Sequence, residues 1–270
     1  MAFDPTERTD LSLMTLAQLA SAGPWQLSLV HDRAQHVLIW ITRGQGVALL
    51  DGARRGFGAQ NALFVPARHL MAIEPGRQCM GMALIIPGDS PLTLPQLPRH
   101  LRIRDPLAQS ELTMLLEAQS REQQARRPLY RSASAAFADL AVIWLRRQID
   151  LEDQPIQADT AAHRLSRRWC ARLVTDYADP MSMADHAAAL GVTPTHLTRV
   201  SRAQTGRTAA RLLSERQLHA AHQLLITTRV PAHDIARHLG FGSAAYFTRF
   251  IKQHTGVTPT MLRRAGQKQS

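Results

Sequence analysis

"IARHLGFGSAAYFTRFIKQHTGVTP" (Ile235–Pro259) is the stretch whose reading decides the fold of the C-terminal part of the chain. Apolar residues recur at helical spacing in two short segments, and Gly240, Phe241, Gly242 and Ser243 interrupt them. Glycine permits the left-handed backbone that ends a helix. Ser243 can accept from the free amides of the next helix as its N-cap. Thr255 and Gly256 stop that second segment. The pattern predicts two helices about a tight corner, with Ile235, Ala236, Leu239, Phe241, Phe247 and Phe250 inward. Ser243, Ala244, Ala245, Thr248, Arg249, Lys252 and Gln253 are left outward.

A worn copy stands upstream in "AALGVTPTHLTRVSRAQTGRT" (Ala188–Thr208). "ADHAAALGV" (Ala184–Val192) aligns with "HDIARHLGF" (His233–Phe241). After a one-residue gap, Leu197, Thr198, Arg199 and Val200 align with Phe247, Thr248, Arg249 and Phe250. Ser182 with Asp185 three residues on has capping-box spacing. Thr193 followed by Pro194 is a second helix start. Ala187, Leu190, Val192, Leu197 and Val200 pack this copy, and Thr195, His196, Thr198, Arg199 and Arg202 face out. Each copy thus carries the parts of a helix-turn-helix, about 182–205 and about 231–254.

Between the copies, Thr208–Thr228 has neither Gly nor Pro. As one helix it spans roughly 30 Å, close to the separation of about 34–36 Å between successive major-groove faces of a duplex. The charge agrees with such a partner. Residues 160–270 hold 16 Lys and Arg against 5 Asp and Glu, which accounts for the whole net charge of +11, while residues 1–159 hold 16 of each sign. A basic back and a neutral front predict one domain that meets a polyanion and one that does not.

With these motifs in place, the last hundred or so residues resemble the DNA-binding domain of the AraC/XylS family of bacterial transcription regulators. The match runs through Ile235-Ala236, Leu239-Gly240-Phe241, Ser243, Tyr246-Phe247, Arg249-Phe250, Lys252, Gly256 and Thr258-Pro259. In the first copy Ser201 stands where the family has a large apolar residue, which implies looser packing there. The resemblance implies that Thr195, Thr198, Ala244 and Ala245 face base edges. Arg199 and Arg249 are candidates for bidentate contact with guanine or phosphate. It further implies promoter DNA as partner, RNA polymerase if the protein activates, and a homodimer.

The front half reads as short strands broken by Gly and Pro: "WQLSLV" (Trp25–Val30), "HVLIWIT" (His36–Thr42), a hairpin turning at Asp51-Gly52, "NALFVP" (Asn61–Pro66) and "CMGMALIIP" (Cys79–Pro87). Such a run predicts a small barrel or sandwich. Together with "PARH" (Pro66–His69) it loosely resembles the family's cupin-like sensor domain. The expected fold class is α+β in two domains: a cupin-like β-barrel or jelly roll over 1–105, a helical hairpin over 106–150 that packs on the barrel or dimerises, a linker at 151–160, and an all-α DNA-binding domain over 161–270. His36, Trp40, Phe64, Arg68, His69 and Met82 are candidates for holding a small organic effector, with Arg68 suited to a carboxylate.

A cupin-type metal enzyme fused to a DNA-binding tail is the alternative. It needs several His and a carboxylate converging on one ion. His31, His36 and His69 lack a His-x-His pair, so no metal, cofactor or catalysis is expected. Two cysteines (Cys79, Cys170) without paired spacing suit a reducing cytoplasm. The polar N-terminus is not read as a secretory signal, nor is any segment read as a membrane span.

Overall fold

The computed structural model describes residues 11–151 and 160–267. By contacts the chain groups into two compact units. One takes the described residues of Met1–Leu19, Asp32–Asp51 and Arg55–Ala158; the other takes Ala20–His31, Gly52–Arg54 and those of Asp159–Ser270. All but the ends of the expected linker lies outside the described residues.

The first unit is built on β1 (Ser12–Thr15), β2 (His36–Arg43), β3 (Gln45–Leu50), β4 (Ala53–Gly58), β5 (Asn61–Val65), β6 (Ala72–Pro75), β7 (Met80–Ile86) and β8 (Arg99–Arg102). The strands form a five-stranded sheet in the order β1-β7-β2-β5-β8 and a three-stranded sheet in the order β4-β3-β6. These are two open sheets, so the expected closed barrel is corrected. β3 and β4 meet at Asp51 and Gly52, both with positive φ (50° and 70°), which is the type I′ corner read from Asp-Gly.

One face of the larger sheet carries Leu38, Trp40, Ala62, Phe64, Leu84 and Ile86. It is covered by α3 (Pro106–Ala125) and α4 (Tyr130–Asp150), a hairpin that supplies Leu112, Leu116, Ala138, Ala141, Val142, Trp144 and Leu145. The Trp40 and Trp144 rings meet edge to face at 6.2 Å. Each buried indole N–H is satisfied, Trp40 donating to Thr113 Oγ1 (3.1 Å) and Trp144 to the Ala108 carbonyl (2.9 Å). The alternate residues of the strands, among them Val37, Ile39, Ile41, Leu63, Val65, Ala83 and Ile85, point to the other face and are also buried.

The first unit also holds α1 (Leu16–Leu19). Trp25–Ser28, expected within a strand, is instead a helical turn, α2. Pro24 opens it with αR backbone. The Ala22 carbonyl and amide then bond the Trp25 indole and the Gln26 side chain, at 2.9 and 2.7 Å. Such local side-chain bonds outweigh a two-residue alternation too short to discriminate.

The second unit contains α2 and seven further helices: α5 (Ala161–Thr175), α6 (Met183–Ala189), α7 (Pro194–Thr205), α8 (Ala209–Thr227), α9 (Ala232–His238), α10 (Ala244–Thr255) and α11 (Pro259–Gln267). α8 runs between the two copies of the helix pair and is buried at Leu212, Leu218, Ala221 and Leu225. Arg216 lies over the Tyr177 ring at 3.7 Å, a cation–π contact beside the connecting helix.

Candidate DNA interface

The first helix pair begins with both halves of the expected capping box. The Ser182 hydroxyl accepts from the Asp185 amide (3.2 Å), and the Asp185 carboxylate accepts from the Ser182 amide (2.9 Å). The Ser182 hydroxyl also donates to that carboxylate (2.7 Å), and this bond, with the one from the Ser182 amide, holds the Asp185 carboxyl below its ordinary value. Gly191 turns the chain at φ 74°. Thr193 caps α7 by accepting from the His196 amide, with Pro194 at the first helical position. Gly206 ends α7 in the left-handed region.

The second pair repeats the device with changes. Pro231 precedes α9 without a side-chain cap. Gly240 makes the corner at φ 75°. There the approach is so close that an added Cβ would fall 2.2 Å from the Ala178 carbonyl oxygen. Ser243 caps α10 by accepting from the Tyr246 amide, and Gly256 ends it.

Alternation of buried and exposed positions then fixes what each pair presents. On α7, Leu197 and Val200 are buried while Thr195, Arg199 and Arg202 are exposed and His196 and Thr198 half-buried. On α10, Phe247, Phe250 and Ile251 are buried while Ala244, Ala245, Thr248, Arg249, Lys252 and Gln253 are exposed, as is the capping Ser243. Two hydrogen bonds refine the list. Arg199 Nη2 lies 3.1 Å from His196 Nδ1, where the ring nitrogen accepts from the guanidinium and steadies it. The Thr248 hydroxyl donates to the Ala244 carbonyl (2.9 Å), which occupies its proton within the helix.

Sequence reasoning missed Tyr246, which is 53% exposed at the start of α10, its ring 5.9 Å from that of Phe241. Its place between two outward alanines and an inward phenylalanine was the available signal. Also missed was a buried polar residue of the first pair. His186 is fully buried against Trp169, ring centroids 5.2 Å apart, and neither of its ring nitrogens has a hydrogen-bond partner. Burial lowers its pKa, helped by Arg172 and opposed by Asp176, Asp179 and Asp185. Ser201 is fully buried too, its hydroxyl unpaired.

Four of the effector candidates, His36, Trp40, Phe64 and Met82, share one face of the larger sheet, with the His36 and Phe64 rings stacked at 6.3 Å. Trp40 and Phe64 belong to the core beneath α3 and α4, and Met82 packs against that same core. His36 stitches three segments together: Nδ1 accepts from the Ala67 amide at 3.1 Å, and the ring also bonds the Gly88 backbone. Desolvation is the main reason its pKa is lowered, with the Gly88 bond opposing and His69 adding. Arg68, left-handed at φ 59°, is the exposed member, 3.4 Å from the buried Asp32 carboxylate. His69 Nδ1 lies 3.1 Å from the Ala67 carbonyl. Among the described residues, no group of three or more His, Cys, Asp or Glu is placed to hold a metal ion. Nor, among them, is any helix long and apolar enough to cross a membrane.

Known proteins resemble the chain over parts of very different length. Residues 186–265 match a family profile described as a helix-turn-helix domain. The arabinose operon regulatory protein of Salmonella typhimurium is 31% identical over 91 residues, which are 34% of this chain and 31% of that protein. The virulence regulon transcriptional activator VirF of Yersinia enterocolitica is 41% identical over 51 residues, 19% of each chain. The matched region thus spans a third or less of these curated relatives. Among solved structures, ToxT from Vibrio cholerae aligns over 95% of this chain and 97% of its own at 13% identity, with a TM-score of 0.43.

Proposed function

We propose that this chain, an AraC-family transcription regulator by its C-terminal domain, sets α7 and α10 into successive major grooves of promoter DNA and activates transcription in response to a small organic molecule. The observation that carries this reading is the pair of independently capped helices, each with an inward apolar face and an outward arginine, Arg199 on one and Arg249 on the other. Guanidinium groups suit bidentate recognition of guanine, and the +11 charge concentrated in residues 160–270 suits phosphate. The exposed alanines of α10 can offer no hydrogen bond to a base. The second helix therefore adds more affinity than discrimination, and α7 does most of the reading.

The first unit is read as a cupin-like sensor. Arg68 and His69 are the polar groups it offers an effector, with a carboxylate the best match to Arg68. Trp40, Phe64 and Met82 serve the wall beneath α3 and α4. That hairpin buries one side on the sheet and leaves Leu107, Met114 and Leu140 exposed at 80%, 61% and 48%. Such an apolar outer side suits self-association, so the working form is read as a homodimer in the cytoplasm, with RNA polymerase as its partner at the promoter. The two curated relatives named above are transcription regulators, which favours the regulator reading over the metal-enzyme alternative.

Selection of duplexes from a random-sequence pool by the full-length chain tests the reading. Enrichment of one sequence whose footprint covers two segments a helical turn apart is the expected result. Failure to retain any duplex at low salt would overturn it.

A further inference from the structure

Residues 20–31 lie far from the helix-turn-helix pairs in sequence, yet by contacts they group with them. Along this strap Leu27, Val30 and His31 are at most 2% exposed. Its contacts fall on three parts of the DNA-binding unit. Trp25 lies on α8, its ring 4.6 Å from that of His222 and 5.2 Å from that of His219. His31 stacks on His219 nearly parallel, at 4.4 Å. Leu29 packs against the core of the second helix pair, a cluster that includes Leu218, Ile235 and Phe250. At the other side, Arg207 donates to the Ser28 carbonyl (3.3 Å).

Arg207 is itself fixed. Its guanidinium pairs with the buried Glu215 carboxylate of α8 at 2.6 Å, and Arg211 holds the other oxygen at 2.8 Å. Its amide donates to the Thr205 hydroxyl at the end of α7 (3.1 Å), one residue before the Gly206 cap. The strap therefore touches the exit of the first reading helix, the side of the connecting helix and the core behind the second. α8 alone, about 28 Å from end to end, would hold two small modules by one rod. A third contact line across rod and modules limits how far one can swing against the other. Geometry fixed before binding need not be fixed at the expense of affinity.

We infer that the strap is a positioning element for DNA binding, and that Trp25 and Arg207 set the spacing and angle between α7 and α10 without touching DNA. The inference rests on the two-groove reading above. Its test uses the full-length chain, the duplex it enriches from a random pool, and derivatives with one base pair inserted or deleted between the two contacted segments. Trp25→Ala removes the ring from both imidazoles. It is expected to weaken binding of the enriched duplex by roughly ten-fold and to flatten the penalty for the altered spacings. Trp25→Phe, which keeps a ring on His222, is expected to restore both. A merely structural role would lower affinity for all spacings alike and leave the penalty unchanged, and that result overturns the inference. So does an unaltered affinity in folded Trp25→Ala. Should that variant not fold, His219→Leu, which removes both ring contacts from a half-buried site, is read by the same spacing penalty and the same criteria. A wild-type chain that enriches no duplex overturns the two-groove reading itself, and so fails in a different arm.

Discussion

The two helix-turn-helix copies reach the same backbone by different chemistry. Where the second buries Ile235 and Ile251, the first buries His186 and Ser201, all four at most 1% exposed. Where the second gathers Phe241, Phe247 and Phe250, with Phe241 5.1 and 5.0 Å from the other two rings, the first has Val192, Leu197 and Val200. An imidazole and a hydroxyl without hydrogen-bond partners oppose burial, whereas isoleucines favour it. The first copy compensates by lying against α5, whose Trp169 covers His186. Duplication has thus left one module that is stiff and another that leans on its neighbours. The leaning one carries the more varied reading surface.

This contrast can be broken or sharpened by substitution. Ile251→Ser gives the second copy the residue of the first and should have the largest effect. A loss of about 3–4 kcal/mol combines a vacated core volume with a new unpaired hydroxyl. Denaturant unfolding of the full chain measures it, and a loss below about 1 kcal/mol would show the second copy to be no stiffer than the first. Next come Arg199→Ala and Arg249→Ala, each expected to weaken binding of an enriched duplex by about 1–3 kcal/mol. Against a panel of single-base variants, the Arg199 change should relax sequence preference and the Arg249 change should lower affinity almost uniformly. Equal relaxation by both would erase the proposed division of labour.

A smaller effect depends on pH. His186 has a folded pKa below the ordinary 6.5, so its neutral form stabilises the fold fully above that value. The stability is lost as pH falls from 6.5 through the lower folded value, with a slope of at most about 1.4 kcal/mol per pH unit. His186→Leu should therefore be more stabilising at pH 5 than at pH 7.5 when unfolding midpoints are compared. His222, brought down to about 4 by burial, keeps some acid sensitivity in both proteins. Smallest of all, Ser201→Ala should add about 1 kcal/mol by removing the unpaired hydroxyl. A loss on this substitution would mean that the hydroxyl contributes to the packing of α7.

The C-terminal elements were open to sequence reading because their signals are local. Ser182, Thr193 and Ser243 announce helix starts, and Gly191, Gly240 and Gly256 announce corners or ends, through backbone chemistry within a few residues. The front half was harder for the opposite reason. β1, β6 and β8 are four residues each and sit at sheet edges, too short to show a period. Whether strands close into a barrel depends on pairings far apart in sequence. From sequence alone Trp40 and Phe64 suit a ligand-lining wall and core packing equally; that a helical hairpin lies on their side of the sheet depends on contacts far along the chain. The surface of α10 was nearly complete in the sequence, apart from Tyr246 and His254.

The strap also orders events in time. Ser28 and the Arg207 side chain that bonds its carbonyl are 179 residues apart. At a synthesis rate of about 5–20 residues per second, the partner leaves the ribosome roughly 10–40 s later. Until then Leu27, Leu29 and Val30 await a surface not yet made, and a chain cut short before α8 has no site on which to seat them. The parts of the reading unit are thus made far apart in time, and the strap seats only once α8 has emerged.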